Sequence, residues 1–121
     1  MDFHVLKSIP ENLNVSEFET KTLAERGLIR QIPSRYKSQY FNHTFGGGYT
    51  AGYYSYIWAE VLDADGFELF KEKGIFDPET AKAFKENVLE MGGSEDPMKL
   101  YIKFRGQEPN PDALLRNRGL K

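Results

Sequence analysis

His43 stands three residues before Gly46-Gly47-Gly48, and Tyr49, Tyr53 and Tyr56 follow at spacings i, i+4 and i+7. An imidazole can hold or pass a proton near neutral pH, and a fixed phenol O–H can stabilise an oxygen on which negative charge develops. At about 100° per residue, the three tyrosines would lie within an arc of roughly 60° if one helix carried them all. A buried phenol costs free energy unless its hydroxyl is bonded, so a face made only for packing favours Leu, Ile or Phe. The row therefore predicts a polar cleft; the structural alternative is an amphipathic aromatic stripe at a helix interface. Tyr54, Ile57, Trp58 and Val61 are expected on the core side of the same helix.

The triple glycine lacks the Lys-Ser/Thr of a phosphate-binding P-loop and the strand–glycine spacing of a dinucleotide fingerprint. It reads better as a side-chain-free loop past which a peptide backbone or a moving segment can run closely. The only histidines are His4 and His43, there is no cysteine, and neither histidine begins an H-E-x-x-H. A three-ligand catalytic zinc site is thus not expected from the histidines of this chain. Glu60, Asp63 and Asp65 read as solvated helix-end charges.

The 121 residues are 40% hydrophobic, enough for one domain or a piece of a larger one. With a net charge of −2 and mixed signs along the chain, there is no basic stripe for nucleic acid or for an anionic membrane surface. The start, Met1 to Val5, has neither a basic segment nor a long apolar run, so no leader or membrane span is expected and a cytoplasmic location is the default.

Several elements must position the tyrosines. Ser16 with Glu19 reads as a capping box, with Gly27 ending that helix. Asp77-Pro78, Asp96-Pro97 and Asn110-Pro111 each place a capping side chain before a proline, and Gly92, Gly106 and Gly119 stand where the helices after them should stop. Ala81, Phe84, Val88 and Met91 form a helical apolar stripe. The expectation is an all-α chain, 1–121 as a single helical segment, with helices near 16–26, 49–72, 78–91, 97–105 and 111–118. A break is expected near Asp63 to Gly66, and Leu28 to Ile32 could form a short extended piece.

A set of motifs resembles one family. Arg35-Tyr36, Tyr40-Phe41-Asn42-His43, the H-x-F-G-G-G-Y-x-A-G-Y-Y-x-Y run from His43 to Tyr56, and Glu60-Val61-Leu62 carry the resemblance first. It continues through Gly92-Gly93-Ser94-Glu95-Asp96-Pro97, Phe104-Arg105-Gly106, Asp112-Ala113-Leu114-Leu115 and Arg118-Gly119-Leu120. Together these are similar to the C-terminal end of the zinc metallopeptidases of the thimet oligopeptidase group, which includes peptidyl-dipeptidase (dipeptidyl carboxypeptidase) and oligopeptidase A.

The resemblance implies a two-lobed helical enzyme in which an H-E-x-x-H helix and a later glutamate hold zinc, none of them present here. This chain would then be the C-terminal, substrate-side part of a longer enzyme acting on short peptides, with the missing N-terminal part as its partner, no zinc bound by the segment itself, and self-association possible for the segment alone. Tyr56 and His43 are implied as catalytic residues, with Tyr49, Tyr53, Gly46, Gly47 and Gly48 on the substrate. Within the group, a peptidyl-dipeptidase is the first expectation, and an oligopeptidase A type endopeptidase is the second. A non-catalytic helical peptide-binding module is the rival from another class.

Overall fold

The computed structural model describes residues 1–121 as helices, turns and loops with no strand. The all-α expectation holds, and Leu28 to Ile32 is a turn, closed by Ile32 N–H donating to the Ile29 carbonyl at 3.1 Å. The chain forms two compact units, Met1–Tyr54 and Ser55–Lys121.

The first unit holds a 3₁₀ turn at Asp2–Val5, helix α1 at Val15–Glu25, a second 3₁₀ turn at Ser38–Tyr40 and the short helix α2 at Asn42–Phe45. Helix α1 starts at Asn14, whose side chain accepts from Ser16 N–H at 3.1 Å and Glu17 N–H at 3.2 Å. The expected Ser16/Glu19 box does not form, because Glu19 is buried and bonded to the chain at Lys37 and Ser38 instead. The other end behaves as foreseen. Gly27 takes a φ of 88°, and the N–H groups of Gly27 and Leu28 return to the carbonyls of Ala24 and Leu23, satisfying acceptors that the helix end would otherwise leave open.

The second unit begins with α3 at Ser55–Lys73, followed by α4 at Pro78–Phe84, a π-helical turn at Lys85–Leu89, α5 at Pro97–Arg105 and α6 at Asp112–Asn117. Asp77 and Asp96 cap α4 and α5 by accepting from the N–H groups of Thr80 and Lys99. Asn110 accepts from Asp112 N–H at 2.8 Å. Gly106 and Gly119 close α5 and α6 at positive φ. The expected 78–91 helix is one helical run whose hydrogen bonding widens after Phe84, where Glu90 N–H reaches back to the Lys85 carbonyl.

Two expectations for α3 are corrected. It starts at Ser55 instead of 49, and it runs without a break through Asp63 to Gly66. Gly66 lies in its buried stripe with Val61, Ala64 and Asp65, and a Cβ there would sit 3.5 Å from the Phe104 ring. Packing against α5 thus offsets the weak helix propensity of glycine.

The core of this unit is Val61, Ala64, Leu100, Phe104 and Ala113, with a cluster of aromatic rings around Phe104. Phe84 meets Phe104 edge-on at 5.1 Å, and Phe70 lies 6.1 Å from each of them, joining α3, α4 and α5. Beside it is a cavity of about 500 Å³ lined by residues such as Trp58, Phe67, Val88 and Met98. Of the four residues expected as core on the tyrosine helix, only Val61 is buried; Tyr54 is 69%, Ile57 51% and Trp58 44% exposed.

Candidate functional site

The site is built around α2. Phe41 stands at its N-terminus, with its carbonyl accepting from Thr44 and Phe45 N–H, and His43 occupies the second helical position. After one turn Gly46 N–H closes on the Asn42 carbonyl at 2.8 Å, and the three glycines bend the chain back so that Tyr49 N–H donates to the His43 carbonyl at 3.1 Å.

Glycine suits that return at Gly47 and Gly48 for different reasons. A Cβ at Gly47 would lie 3.0 Å from both the Asn42 carbonyl oxygen and the His43 Cα, a tight contact with backbone that would have to give by a few tenths of an ångström. Gly48 has a φ of 82°, in the left-handed region that glycine adopts without strain. At Gly46 the nearest obstacle is the Asn42 side-chain oxygen, which can swing aside.

The turn gathers rings that are up to ten positions apart, His43 to Tyr53. His43 lies 5.7 Å from Tyr49 and 5.6 Å from Tyr53, and the two tyrosines meet edge-on at 6.3 Å. Phe41 packs edge-on against Tyr53 at 4.6 Å and backs His43 at 6.4 Å. Tyr36 stacks on Phe41, with the Arg35 guanidinium 5.1 Å over its ring. His43 is exposed, Tyr49 is 38% exposed and Tyr53 is half-buried, so the cluster is accessible from solvent.

This arrangement corrects the sequence expectation in its geometry. Tyr49, Tyr53 and Tyr56 do not share a helix face, because the positive φ at Gly48 and at Thr50 (40°) interrupts helical propagation before Ser55. Tyr49 and Tyr53 meet His43 through a turn within the first unit. Tyr56 belongs to the first turn of α3, in the second unit, and is 46% exposed.

Two groups of residues escaped sequence reasoning. Phe41 forms a wall of the cluster, and Glu19 holds the segment leading to it; the donors to Glu19 lie 18 and 19 positions away, beyond any local pattern. In the second unit, Asp65, expected as a solvated charge, is 3% exposed. It accepts from the Tyr101 hydroxyl at 2.6 Å and lies 3.4 Å from Arg105 Nε. Burial, then the bond to Asp65, raises the Tyr101 pKa well above the usual phenol value. No three His, Asp or Glu side chains come together as a metal-holding group.

Residues 1–120 match the profile of Peptidase family M3. This chain belongs to that family. The match bears out the resemblance drawn from the motifs, and it extends that resemblance to the residues before Arg35. The M3 chain is 50% identical over 105 residues to oligopeptidase A of Escherichia coli strain K12, covering 84% of this chain and 15% of that protein. It is 59% identical over 80 residues to oligopeptidase A of Haemophilus influenzae, covering 66% of this chain and 12% of that protein. To dipeptidyl carboxypeptidase of Salmonella typhimurium it is 42% identical over 121 residues, covering 99% of this chain and 18% of that protein. The chain therefore spans less than a fifth of the length of these curated relatives. No helix is long and apolar enough to cross a membrane.

Proposed function

We propose that this M3 chain is the C-terminal, substrate-binding part of the catalytic domain of a longer peptidase that hydrolyses short peptides. The observation that carries this reading is the accessible cluster of His43, Tyr49 and Tyr53 on a glycine turn that is crowded by backbone at Gly47. A peptide backbone presents carbonyl acceptors and N–H donors at regular spacing. An imidazole and two phenols gathered on one turn are suited to holding that backbone in register.

Tyr56, on α3, has the chemistry for a second role. As water adds to the scissile carbonyl, negative charge grows on its oxygen, and a fixed phenol O–H stabilises that charge more than it stabilises the neutral carbonyl. The family resemblance implies zinc as the activator of that water. By the same resemblance, an H-E-x-x-H helix and a later glutamate would hold that zinc. The chemistry assigned to this chain is that of its imidazole and phenols.

Release of C-terminal dipeptides is the first reading of specificity, supported by the dipeptidyl carboxypeptidase match over 99% of the chain. Endopeptidase action of the oligopeptidase A type is the second, supported by the higher identities of 50% and 59%. The exposed apolar side chains, among them Phe76 at 95% and Ile9 at 80%, fit a surface covered by the rest of the polypeptide.

The test uses the full-length enzyme. Tyr56→Phe should lower kcat by about 10²–10³ with KM nearly unchanged, while Tyr54→Phe, at an exposed ring, should leave kcat near wild type. Equal small effects would refute the role given to Tyr56. Mass spectrometry of the products from peptides with a blocked and with a free C-terminus separates the two specificities.

A further inference from the structure

Glu19 is a carboxylate only 7% exposed in the middle of α1, where the charge of an acid is costly to bury unless donors surround it. Its donors come from the segment entering the site. Ser38 N–H and Ser38 hydroxyl both donate to Oε2 at 2.8 Å, and Lys37 Nζ donates to Oε1 at 3.1 Å. One turn earlier on α1, the Ser16 hydroxyl accepts from Gln39 Nε2 at 2.9 Å. Burial opposes ionisation of Glu19, but the bonds from Ser38 and Lys37 outweigh it and hold the carboxyl below its ordinary range.

The path from Ser38 to the site is short and tightly connected. The 3₁₀ turn Ser38–Tyr40 leads into Phe41, whose N–H donates to the Ser38 carbonyl at 3.3 Å. The Phe41 carbonyl begins α2, and its ring seats Tyr53 at 4.6 Å. Ser38 is thus connected through Phe41 both to the start of α2 and to the Tyr53 ring. We infer that Glu19 is a positioning residue for the peptide site at His43, Tyr49 and Tyr53, acting through Ser38 and Phe41. The inference rests on the peptidase reading above.

The experiment is steady-state kinetics on a short peptide with the full-length enzyme, well below the unfolding midpoint of each variant. Glu19→Ala should lower kcat/KM by about tenfold to a hundredfold, the scale of a site displaced by up to ~1 Å. Glu19→Gln keeps an oxygen for Ser38 N–H and should recover to within about threefold of wild type. Ser38→Ala removes only the hydroxyl bond and should cost about threefold to tenfold, which serves if Glu19→Ala does not fold. Combined with Phe41→Ala, the Glu19→Ala loss should be largely absent, since residues acting through one another are not additive.

A lower unfolding midpoint with unchanged kcat/KM in both Glu19→Ala and Ser38→Ala would overturn the inference, as would additive losses with Phe41→Ala. Turnover that is lost in Tyr56→Phe but kept in these variants would sink this inference alone. A full-length enzyme that cleaves no peptide would sink the functional reading with it.

Discussion

Replacing Gly47 by alanine tests whether the turn geometry itself makes the site. The added Cβ would stand 3.0 Å from the Asn42 carbonyl oxygen, 3.0 Å from the His43 Cα and 3.2 Å from the His43 carbonyl oxygen. Carbon atoms pack best at about 3.5–4.0 Å, so the neighbours of the new Cβ have to give by a few tenths of an ångström. All three obstacles are backbone, and none can rotate away. The chain from Asn42 to Tyr49 has to open, which separates His43 from the phenols. Overpacking of this kind costs about 1–3 kcal/mol of stability, and a displacement near 1 Å costs up to about a hundredfold in rate. Gly47→Ala in the full-length enzyme should therefore lower kcat/KM on a short peptide by about tenfold to a hundredfold. Gly46→Ala meets only the mobile Asn42 side chain and should lose less than about tenfold. Kinetics with parallel urea unfolding measures both quantities. A Gly47→Ala enzyme within about twofold of wild type in kcat/KM, with an unchanged urea midpoint, would refute the argument.

Gly66→Ala should raise stability by about 0.5–1 kcal/mol, because the new Cβ meets Phe104 at an ordinary 3.5 Å while alanine is the better helix former; a lower thermal midpoint would contradict this. Tyr101→Phe removes the 2.6 Å donor from buried Asp65 and should destabilise the fold by about 1–3 kcal/mol, read by denaturant unfolding. The Asp77 carboxyl is held below its ordinary 3.8 by the Thr80 hydroxyl and then the Thr80 N–H. Because the folded value is depressed, the stability that this cap lends is present above pH 3.8 and is lost as pH falls through the folded value. A carboxyl titration followed by NMR should place Asp77 below 3.8, and Thr80→Val should move it back up.

Local chemistry was legible in the chain itself. Asp77, Asp96, Gly27, Gly106 and Gly119 end or begin helices where their residue types place them, because a cap is decided by a side chain and backbone groups within four residues. That His43, Tyr49 and Tyr53 belong to one short run was legible as well, since they are close in sequence. The shape of that run was not. A spacing of i, i+4, i+7 reads as a helix face, whereas positive φ at Gly48 and Thr50 delays α3 until Ser55.

Tertiary structure decided what local rules could not reach. The sequence pattern of Ser16 and Glu19 satisfies a capping box, yet donors 18 and 19 residues away compete for the same carboxylate and win, because three bonds to a buried charge outweigh one to an exposed helix end. Gly66 reads as a break until Phe104 packs against it, and Asp65 reads as a solvent charge until Tyr101 and Arg105 close over it. Tyr54, Ile57 and Trp58 have the composition of a core and are exposed, since burial depends on which surface arrives to cover a face. Residue type and spacing marked most of the helix ends; which side chains the helices bury came from contacts between segments distant in sequence.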